Sequence, residues 1–445
     1  MSNTSLSTKL SNVLPKNSKF KYLYIQSNPI YIKSPIHQLP KLKNLSNTLK
    51  IRHFFILIEN DIIILGIEIF IYLQIFDNYI DQFIFVSKCD TVGLKEINFK
   101  IGDVVREVLD FIINYDINKY QIKVKKEKQR KDTDDEPIYN GSNETNGTLL
   151  LLNKLINNLK QNPSTFNQLP YYNKNRSNSK QQSPKTLLKL PNTINLKLCI
   201  FTKTAPQYIF PNSSKNKLKH KINGQILLNW WLKIVNSITL NWTTKKLIIP
   251  GSDNQSILNF IKPFNNNWSI GHIFDNHNQN DLAIYSIPLF PDDPKGRFLE
   301  HLIIENRYSN MNISQFYKEL GYRQEFRIGD CVGLIGCEFK NYIFDNNTTT
   351  TEDKEDDIIK VTVSQYKQFI NLLKNINYNI EIDINYMIEN EIPNFFINQL
   401  GFRDFEYGEV IGSKEVDNSN SKTQDLGQKR IQTNDLTGLI KRKKK

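Results

Sequence analysis

The sequence is poor in the residue patterns that hold metal ions. It has four cysteines (Cys89, Cys199, Cys331 and Cys337) with no Cys-x-x-Cys spacing, and its six histidines form no paired ligand pattern. A structural zinc site needs such spacing, so we expect no metal. Scattered cysteines and the lack of a signal-peptide pattern predict a reducing, intracellular compartment.

The motifs of several common enzyme classes are also missing. The chain has no Ser-His-Asp order, no His-Glu-x-x-His, and no phosphate loop of the GxxxxGK[ST] or GxGxxG kind. These absences remove support for serine hydrolases, zinc proteases and nucleoside triphosphatases. The RxxGxG pyrophosphate loop of the common N-acetyltransferase superfamily is missing as well.

No uncharged apolar run is long enough to cross a membrane. The most apolar stretch, residues 51–76, is interrupted by Glu59, Asn60, Asp61 and Glu68. It therefore falls short of the roughly 18 residues that a span requires. Its β-branched residues on both sides of Asn60-Asp61 predict a hairpin in a sheet. We expect a soluble protein with no membrane partner.

The composition favours a globular protein that meets an acidic partner. Lysine and arginine total 58 against 45 acidic residues, a formal net charge of +13, and 39% of the residues are hydrophobic. A basic protein of this kind expects nucleic acid, a phosphate-rich cofactor or an acidic protein.

The order of patterns along the chain predicts a mixed α/β fold, with a central sheet wrapped by helices. Strand patterns include residues 82–88 and 193–202, and helix patterns include 103–115 with Asp103 as N-cap. Residues 124–190 read as a mostly disordered insertion with a short helix, and 411–445 as a disordered basic tail. The folded domain is predicted to comprise 1–123 and 191–410.

The stretch YSIPLFPDDPKGR, residues 285–297, ends a strand-like pattern in Asp292, Asp293 and Lys295. Asp293-Pro294 is a good helix start, with Asp as N-cap and Pro at the first helical position. Alternatively, the strand end delivers two carboxylates and a lysine into a cleft, where α/β sheets place active sites. The two interpretations are compatible if one Asp caps while its neighbour points outward.

A second candidate is the adjacent pair Trp230-Trp231, which follows a loop rich in lysine. Adjacent helical residues point about 100° apart, so either one tryptophan packs while the other faces a groove, or both are ordinary residues of the core and its rim. The basic loop, including His220 and Lys221, is either a seat for phosphates beside a helix N-terminus or an ordinary solvated loop. A third candidate, FVSKCDTVG at 85–93, places polar residues after a strand.

Three blocks, FVSKCDTVG, IFTKTAPQYIFPNSSKNKLKHKINGQILLNWW and AIYSIPLFPDDPKGRF, resemble the fungal histone H3 acetyltransferases that modify a core lysine at H3 position 56. The resemblance implies an acetyltransferase fold akin to that of the CREB-binding-protein enzymes, with acetyl-CoA as co-substrate. It implies Asp292 and Asp293 as active-site carboxylates and Lys295 as a self-acetylated lysine. It places Trp231 and Tyr208 along the lysine channel, with Asp90 near the substrate pocket.

The same resemblance implies a set of cofactor contacts. They are Cys89, Asp90, Thr91, Asn98, Phe99, Lys100, Ile101, Gly102, Phe201, Ala205, His220, Lys221, Ile222 and Trp230. The chain departs from the family pattern at Lys203-Thr204, where the family has Arg-Pro. Lysine keeps the charge there but lacks the guanidinium fork.

The resemblance also implies partners and a compartment. We expect histone H3–H4 as substrate, presented by an anti-silencing-type chaperone on the basic tail and a nucleosome-assembly-type chaperone on the insertion. The expected role is nuclear, in chromatin assembly and DNA-damage tolerance, on H3 position 56 and on N-terminal tail lysines. The alternative is a non-catalytic chromatin or nucleic-acid-binding protein.

Overall fold

The structure is a computed structural model that describes residues 4–37, 47–124, 187–264, 267–274, 281–327, 330–343 and 358–415. Most of the insertion predicted at 124–190, including its helix, and most of the predicted tail lie outside these residues. The chain divides into one unit formed by residues 1–120 and 190–445, and a second formed by 121–189. The predicted domain boundaries stay predictions.

A central mixed sheet dominates the first unit. Its strands run in the order β10–β1–β3–β4–β5–β6–β9–β7–β8, with β11 paired to β1 and β2 paired to β3. The pairs β1/β10, β5/β6 and β7/β8 are parallel, and the others are antiparallel. The strands are β1 Lys19–Ser27, β2 Ile30–Ile32, β3 Asn47–Glu59, β4 Ile62–Ile75, β5 Ile80–Thr91, β6 Thr193–Thr202, β7 Thr244–Ile248, β8 Trp268–Ile270, β9 Gly333–Ile343, β10 Ile358–Val361 and β11 Gly408–Ile411.

Helices flank this sheet, and the predicted mixed α/β class is confirmed. They are α1 Leu6–Ser11, α2 Ile101–Ile113, α3 Gly224–Ile238, α4 Asn254–Ile261, α5 Pro294–Ile304, α6 Ile313–Leu320, α7 Gln324–Arg327, α8 Val363–Leu373, α9 Glu381–Tyr386 and α10 Ile392–Asn394. Two π-helical segments, Met387–Glu391 and Phe395–Gln399, continue α9 and α10.

The apolar stretch at 51–76 forms the predicted hairpin, β3 and β4. Asn60 and Asp61 have φ values of 50° and 55°, and Glu59 pairs with Ile62. Positive φ at both central residues is what a tight two-residue hairpin turn requires, and Asn and Asp tolerate it. Among the described residues, no helix combines the length and apolarity needed to traverse a bilayer.

The predicted start of α2 can be compared directly with the structure. The apolar face of the helix is buried and comprises Val104, Val105, Val108, Leu109 and Ile112. The predicted N-cap is wrong, because Lys100 and not Asp103 precedes the helix, which begins at Ile101, two residues before the predicted start at 103. Asp103 lies inside the first turn, where its carboxylate accepts a hydrogen bond from Arg106 at 3.1 Å.

Candidate active site

A cavity of about 870 Å³ lies between the end of β5, the first turn of α2, the loop before α3 and α3 itself. A cavity of this size lies within the range of small-molecule and cofactor sites. It is lined by Cys89, Asp90, Thr91, Ile97, Phe99, Lys100, Ile101, Gly102, Asp103, Arg106, Thr204, Ala205, Pro206, Tyr208, Lys219, His220, Lys221, Ile222, Ile226, Leu227, Trp230, Trp231, Lys233, Ile234 and Ser237. The structure thus brings FVSKCDTVG and the block that ends in Trp230-Trp231 together around one space.

Both tryptophans face this cavity from α3. Trp231 is buried and Trp230 is half-buried, and their rings meet edge to face with centroids 4.8 Å apart. The helix begins where Asn223 accepts a hydrogen bond from the amide of Ile226 at 2.9 Å. Two adjacent aromatic residues therefore supply one buried wall and one partly open wall.

The N-terminus of α3 is fastened by Asp330, a residue that the sequence did not single out. Its carboxylate accepts hydrogen bonds from the amide of Gly224 at 2.5 Å and from the hydroxyl of Thr204. A Cβ atom at Gly224 would lie 2.0 Å from the carbonyl oxygen of Cys331, so the backbones can meet only at a glycine. Asp330 thereby joins the loop before α3 to the helix.

Asp90 organises the opposite side of the cavity. Its Oδ2 accepts hydrogen bonds from the amides of Tyr208 and Ile209 at 2.8 and 2.9 Å, and from that of Phe210 at 3.3 Å. Its Oδ1 forms a buried ion pair with Lys219 Nζ at 2.8 Å. These bonds hold the loop at 208–210 against the end of β5. The geometry thus assigns Asp90 a positioning task, and its predicted catalytic role stays a prediction.

Tyr208 stands at the edge of the cavity. Its hydroxyl donates to the carbonyl oxygen of Lys203 within the same loop. Burial, followed by the nearby carboxylates of Asp90 and Asp330, raises the pKa of Tyr208 to about 12. The phenol therefore remains protonated at neutral pH and can only donate or accept a hydrogen bond.

The first turn of α2 forms another wall. A Cβ atom at Gly102 would lie 3.0 Å from Trp230 Nε1, so the glycine lets α2 and α3 approach closely. Lys100, Lys221 and Lys233 also line the cavity, and none of them forms an ion pair within the described ranges. An apolar wall with several cations suits a ligand that carries phosphates at one end.

The stretch YSIPLFPDDPKGR at 285–297 forms a buried ion pair next to the sheet. Asp293 is the N-cap of α5, because its Oδ1 accepts the amide hydrogen of Lys295 at 3.0 Å. Its Oδ2 is paired with Lys295 Nζ, and both side chains are buried. Asp292 adopts φ 57° and its side chain is 74% exposed, with Lys88 Nζ 3.7 Å away. One carboxylate therefore caps the helix and its neighbour points outward, the arrangement in which the two interpretations are compatible. The strand expected just before them is absent, because Ala283–Tyr285 form a 3-10 helix.

Not every predicted site residue lines the cavity. Asp292, Asp293 and Lys295 do not, although Lys88, which contacts Asp292, directly precedes the cavity residue Cys89. Asn98 is exposed beside the cavity, and Phe201 packs instead against Phe326, with ring centroids 6.3 Å apart. The cofactor contacts predicted for Asn98 and Phe201 receive no support from this geometry.

Several lining residues were missed in the sequence. On α3 they follow a helical period from Trp230, since positions three or four apart share a face. That signal was available for Ile226, Leu227, Lys233, Ile234 and Ser237. Asp330 carried no such signal, because its partners lie more than 100 residues away in the chain.

Comparison with known proteins identifies the family. The sequence matches the family described as "Histone acetyltransferase KAT11-type domain" over residues 6–394. It is 44% identical over 376 residues to "Histone acetyltransferase RTT109" of Candida albicans, covering 84% of this chain and 97% of that protein. The chain belongs to the KAT11-type histone acetyltransferases.

Two further relatives agree with this. "Histone acetyltransferase rtt109" of Schizosaccharomyces pombe is 30% identical over 166 residues, which cover 33% of this chain and 42% of that protein. The crystal structure of Rtt109 from Aspergillus fumigatus has a TM-score of 0.64 at 18% identity, covering 93% of this chain and all of that one. At this identity the structural likeness shows the fold.

The family confirms the main expectation from the sequence. The chain is a histone acetyltransferase of the fungal H3 type, and the alternative of a non-catalytic binding protein has no support. A histone acetyltransferase takes its acetyl group from acetyl-CoA. Within the ranges that the structure describes, no group of three His, Cys, Asp or Glu residues could hold a metal ion.

Proposed function

We propose that this enzyme acetylates histone H3 in the nucleus, at the core lysine of position 56 and at N-terminal tail lysines. Its substrate is the H3–H4 complex on a chaperone, and its role is in chromatin assembly and DNA-damage tolerance. The observation that carries the proposal is the meeting of the three motifs. FVSKCDTVG and the Trp230-Trp231 block line one cavity, and the stretch at 285–297 contacts FVSKCDTVG through Asp292 and Lys88.

The cavity fits acetyl-CoA as the resemblance implies. The cations of Lys100, Lys221 and Lys233 are available for its phosphates, and Gly102 keeps the first turn of α2 close to Trp230. The bound co-substrate supplies an acetyl thioester. Trp231 and Tyr208 then form the walls along which the acceptor lysine approaches.

The acceptor must lose a proton before it can attack. A lysine has an ordinary pKa near 10.4, so at neutral pH nearly all of it is charged. The apolar walls of Trp230 and Trp231 favour the neutral amine by removing water from it. Asp293 already accepts a helix amide hydrogen and pairs with Lys295, so its proposed task is to orient the amine electrostatically.

Lys295 is the proposed site of self-acetylation. Its ammonium group must leave Asp293 and lose a proton before it can accept an acetyl group. Acetylation would remove its charge, so Asp293 would lose its cation and become available to the incoming amine.

Two chaperones are proposed as presenting partners. An anti-silencing-type chaperone would engage the basic tail at 411–445, and a nucleosome-assembly-type chaperone the insertion at 124–190. The terminal KRKKK is proposed as a nuclear localisation signal.

The test is mass spectrometry of the enzyme incubated with acetyl-CoA and chaperone-bound H3–H4, with Asp293→Asn beside the wild type. We expect acetyl groups on H3 and on Lys295 that nearly disappear in the variant. The matched control is Asp253→Asn, since Asp253 is also a helix N-cap, of α4, but is exposed and has no ion pair in the described chain. Acetylation that survives in Asp293→Asn would assign the key carboxylate elsewhere, and a wild type that leaves H3 unmodified would overturn the proposed substrate.

A further inference from the structure

The helical stretch near the C-terminus is acidic, whereas the protein as a whole is basic. Between residues 375 and 402 the chain has no lysine or arginine and four carboxylates, Glu381, Asp383, Glu389 and Glu391. The whole sequence has a formal charge of +13. A locally acidic segment in a basic enzyme therefore stands out as a place where a cationic partner would be attracted.

The same stretch exposes large apolar side chains. Ile384, Met387, Ile388 and Ile392 face the core, while Ile382 is 77% and Tyr386 55% exposed. Residues four apart lie on one face of a helix, so Ile382 and Tyr386 form one outward stripe. We call Ile380, Glu381, Ile382, Tyr386 and Glu389 the α9 surface. It combines an apolar stripe, which can pack against a partner, with flanking carboxylates, which attract a cationic one.

The α9 surface lies next to the loops that line the cavity. Tyr378, just before α9, donates its amide hydrogen to Pro211 at 3.0 Å and packs on Phe210, with centroids 4.8 Å apart. These contacts join it to the loop that carries Tyr208.

A second connection runs to the segment after β5. Asn216 donates to the carbonyl oxygens of Val92 and Tyr378, at 2.8 and 2.9 Å. Lys95 Nζ lies 3.4 Å from Glu381, and Ile97, two residues further on, lines the cavity. The α9 surface and the segment before it are therefore connected to two segments that continue into cavity-lining residues, Tyr208 on one and Ile97 on the other.

We propose that the α9 surface binds the basic histone substrate and holds it beside the cavity. This rests on the proposed function, because it takes H3–H4 as the substrate. Histones are strongly basic, so most of this enzyme repels them, whereas the carboxylates of the α9 surface attract them. An acidic chaperone would be repelled here. The exposed isoleucine and tyrosine would pack against an apolar helix face of the histone, as aromatic and aliphatic anchors do in interfaces.

The test compares Ile382→Ser/Tyr386→Ser and Glu389→Lys with the wild type. Two quantities are measured: the binding of fluorescently labelled H3–H4 without acetyl-CoA, and the steady-state kinetics of acetylation. The matched control is Ile343→Ser, because Ile343 is 69% exposed and lies where β9 pairs with the start of β6, at the far end of that strand from the cavity. None of the substituted side chains is buried, so the fold is expected to survive, and circular dichroism checks it.

We expect both α9 variants to bind H3–H4 about tenfold more weakly and to raise its KM by a similar factor, as for the loss of an interface anchor. The kcat and the KM for acetyl-CoA should stay within about twofold, since neither variant touches the cavity. In Glu389→Lys the salt dependence of binding should also weaken. The Ile343→Ser control should match the wild type.

Three outcomes would overturn the inference. Unchanged H3–H4 binding in both α9 variants would show that the surface has no part in substrate capture. Equal losses in Ile343→Ser would show a nonspecific effect of exposed serine. Loss of binding to an isolated acidic chaperone, with H3–H4 binding intact, would assign the surface to that other partner. Because binding is measured without acetyl-CoA, a wild type that bound H3–H4 but did not acetylate it would overturn only the proposed function.

Discussion

Replacing Asp293 with asparagine removes one charge from the buried pair with Lys295 and changes little else. Asparagine caps helices as well as aspartate does, so the bond to the amide of Lys295 can be kept. The ammonium of Lys295 would then be left buried without its anion. Removing one partner of a buried ion pair destabilises proteins by about 3–5 kcal/mol. We expect a loss of that order in the free energy of unfolding of Asp293→Asn.

Urea unfolding followed by tryptophan fluorescence measures this loss, with the same slope in wild type and variant. Asp253→Asn serves as control, because this exposed N-cap should lose less than about 1 kcal/mol. The double variant Asp293→Asn/Lys295→Met removes both charges. Since buried pairs can be replaced by apolar groups of similar volume at little cost, the double variant should recover most of the lost stability.

Two results would refute this reasoning. If the free energy of unfolding of Asp293→Asn were within about 1 kcal/mol of the wild-type value, Lys295 would not be held as a buried cation in the folded enzyme. If the double variant were no more stable than Asp293→Asn, the loss would come from the cap or from packing and not from the charge.

Three further predictions follow from the cavity and the core. Asp90→Asn should lower the free energy of unfolding by about 3 kcal/mol, because it leaves the buried Lys219 without its anion, and should raise the KM for acetyl-CoA by loosening the loop at 208–210. Calorimetry and steady-state kinetics measure the two effects, and an unchanged melting temperature would contradict the prediction. Gly224→Ala should lower the free energy of unfolding by about 1–3 kcal/mol, because the added Cβ overpacks against Cys331. In Gly102→Ala the added Cβ would lie 3.0 Å from Trp230 Nε1, which should raise the KM for acetyl-CoA without destabilising the fold. Equal melting temperatures for the two variants would contradict this. Burial lowers the pKa of His53 to about 3 and that of His272 well below its usual range. As the pH falls below 6.5, these histidines therefore take up protons in the unfolded chain before the folded one, and the free energy of unfolding should drop by about 1.4 kcal/mol for each histidine between pH 7.5 and 5.5. Urea unfolding at the two pH values measures this drop, and equal stabilities would contradict the prediction.

Local signals in the sequence predicted the elements that carry the site. The Asn60-Asp61 turn and the Asp293-Pro294 start of α5 are each settled by residues close together in the chain. Such signals work because turn and cap geometry depends on a few neighbouring backbone groups. The start of α2 was missed by two residues, because Asp103 has the chemistry of a cap but instead pairs with Arg106.

By itself, the sequence determined the class of fold, through hydrophobic period and turn chemistry, and the family, through three long motifs. The resemblance carried by those motifs also implied a set of site residues, many of which line the cavity. The sequence could not determine what each carboxylate does. Asp90, Asp293 and Asp330 are the same amino acid with three different roles. Asp90 holds the loop at 208–210, Asp293 caps a helix while paired with Lys295, and Asp330 joins the loop before α3 to that helix. Their partners are brought together only when the sheet assembles, since many of these bonds join residues more than 100 positions apart. The acidic charge of the α9 surface is already in the sequence, but its exposure and its place beside the cavity were decided by tertiary packing.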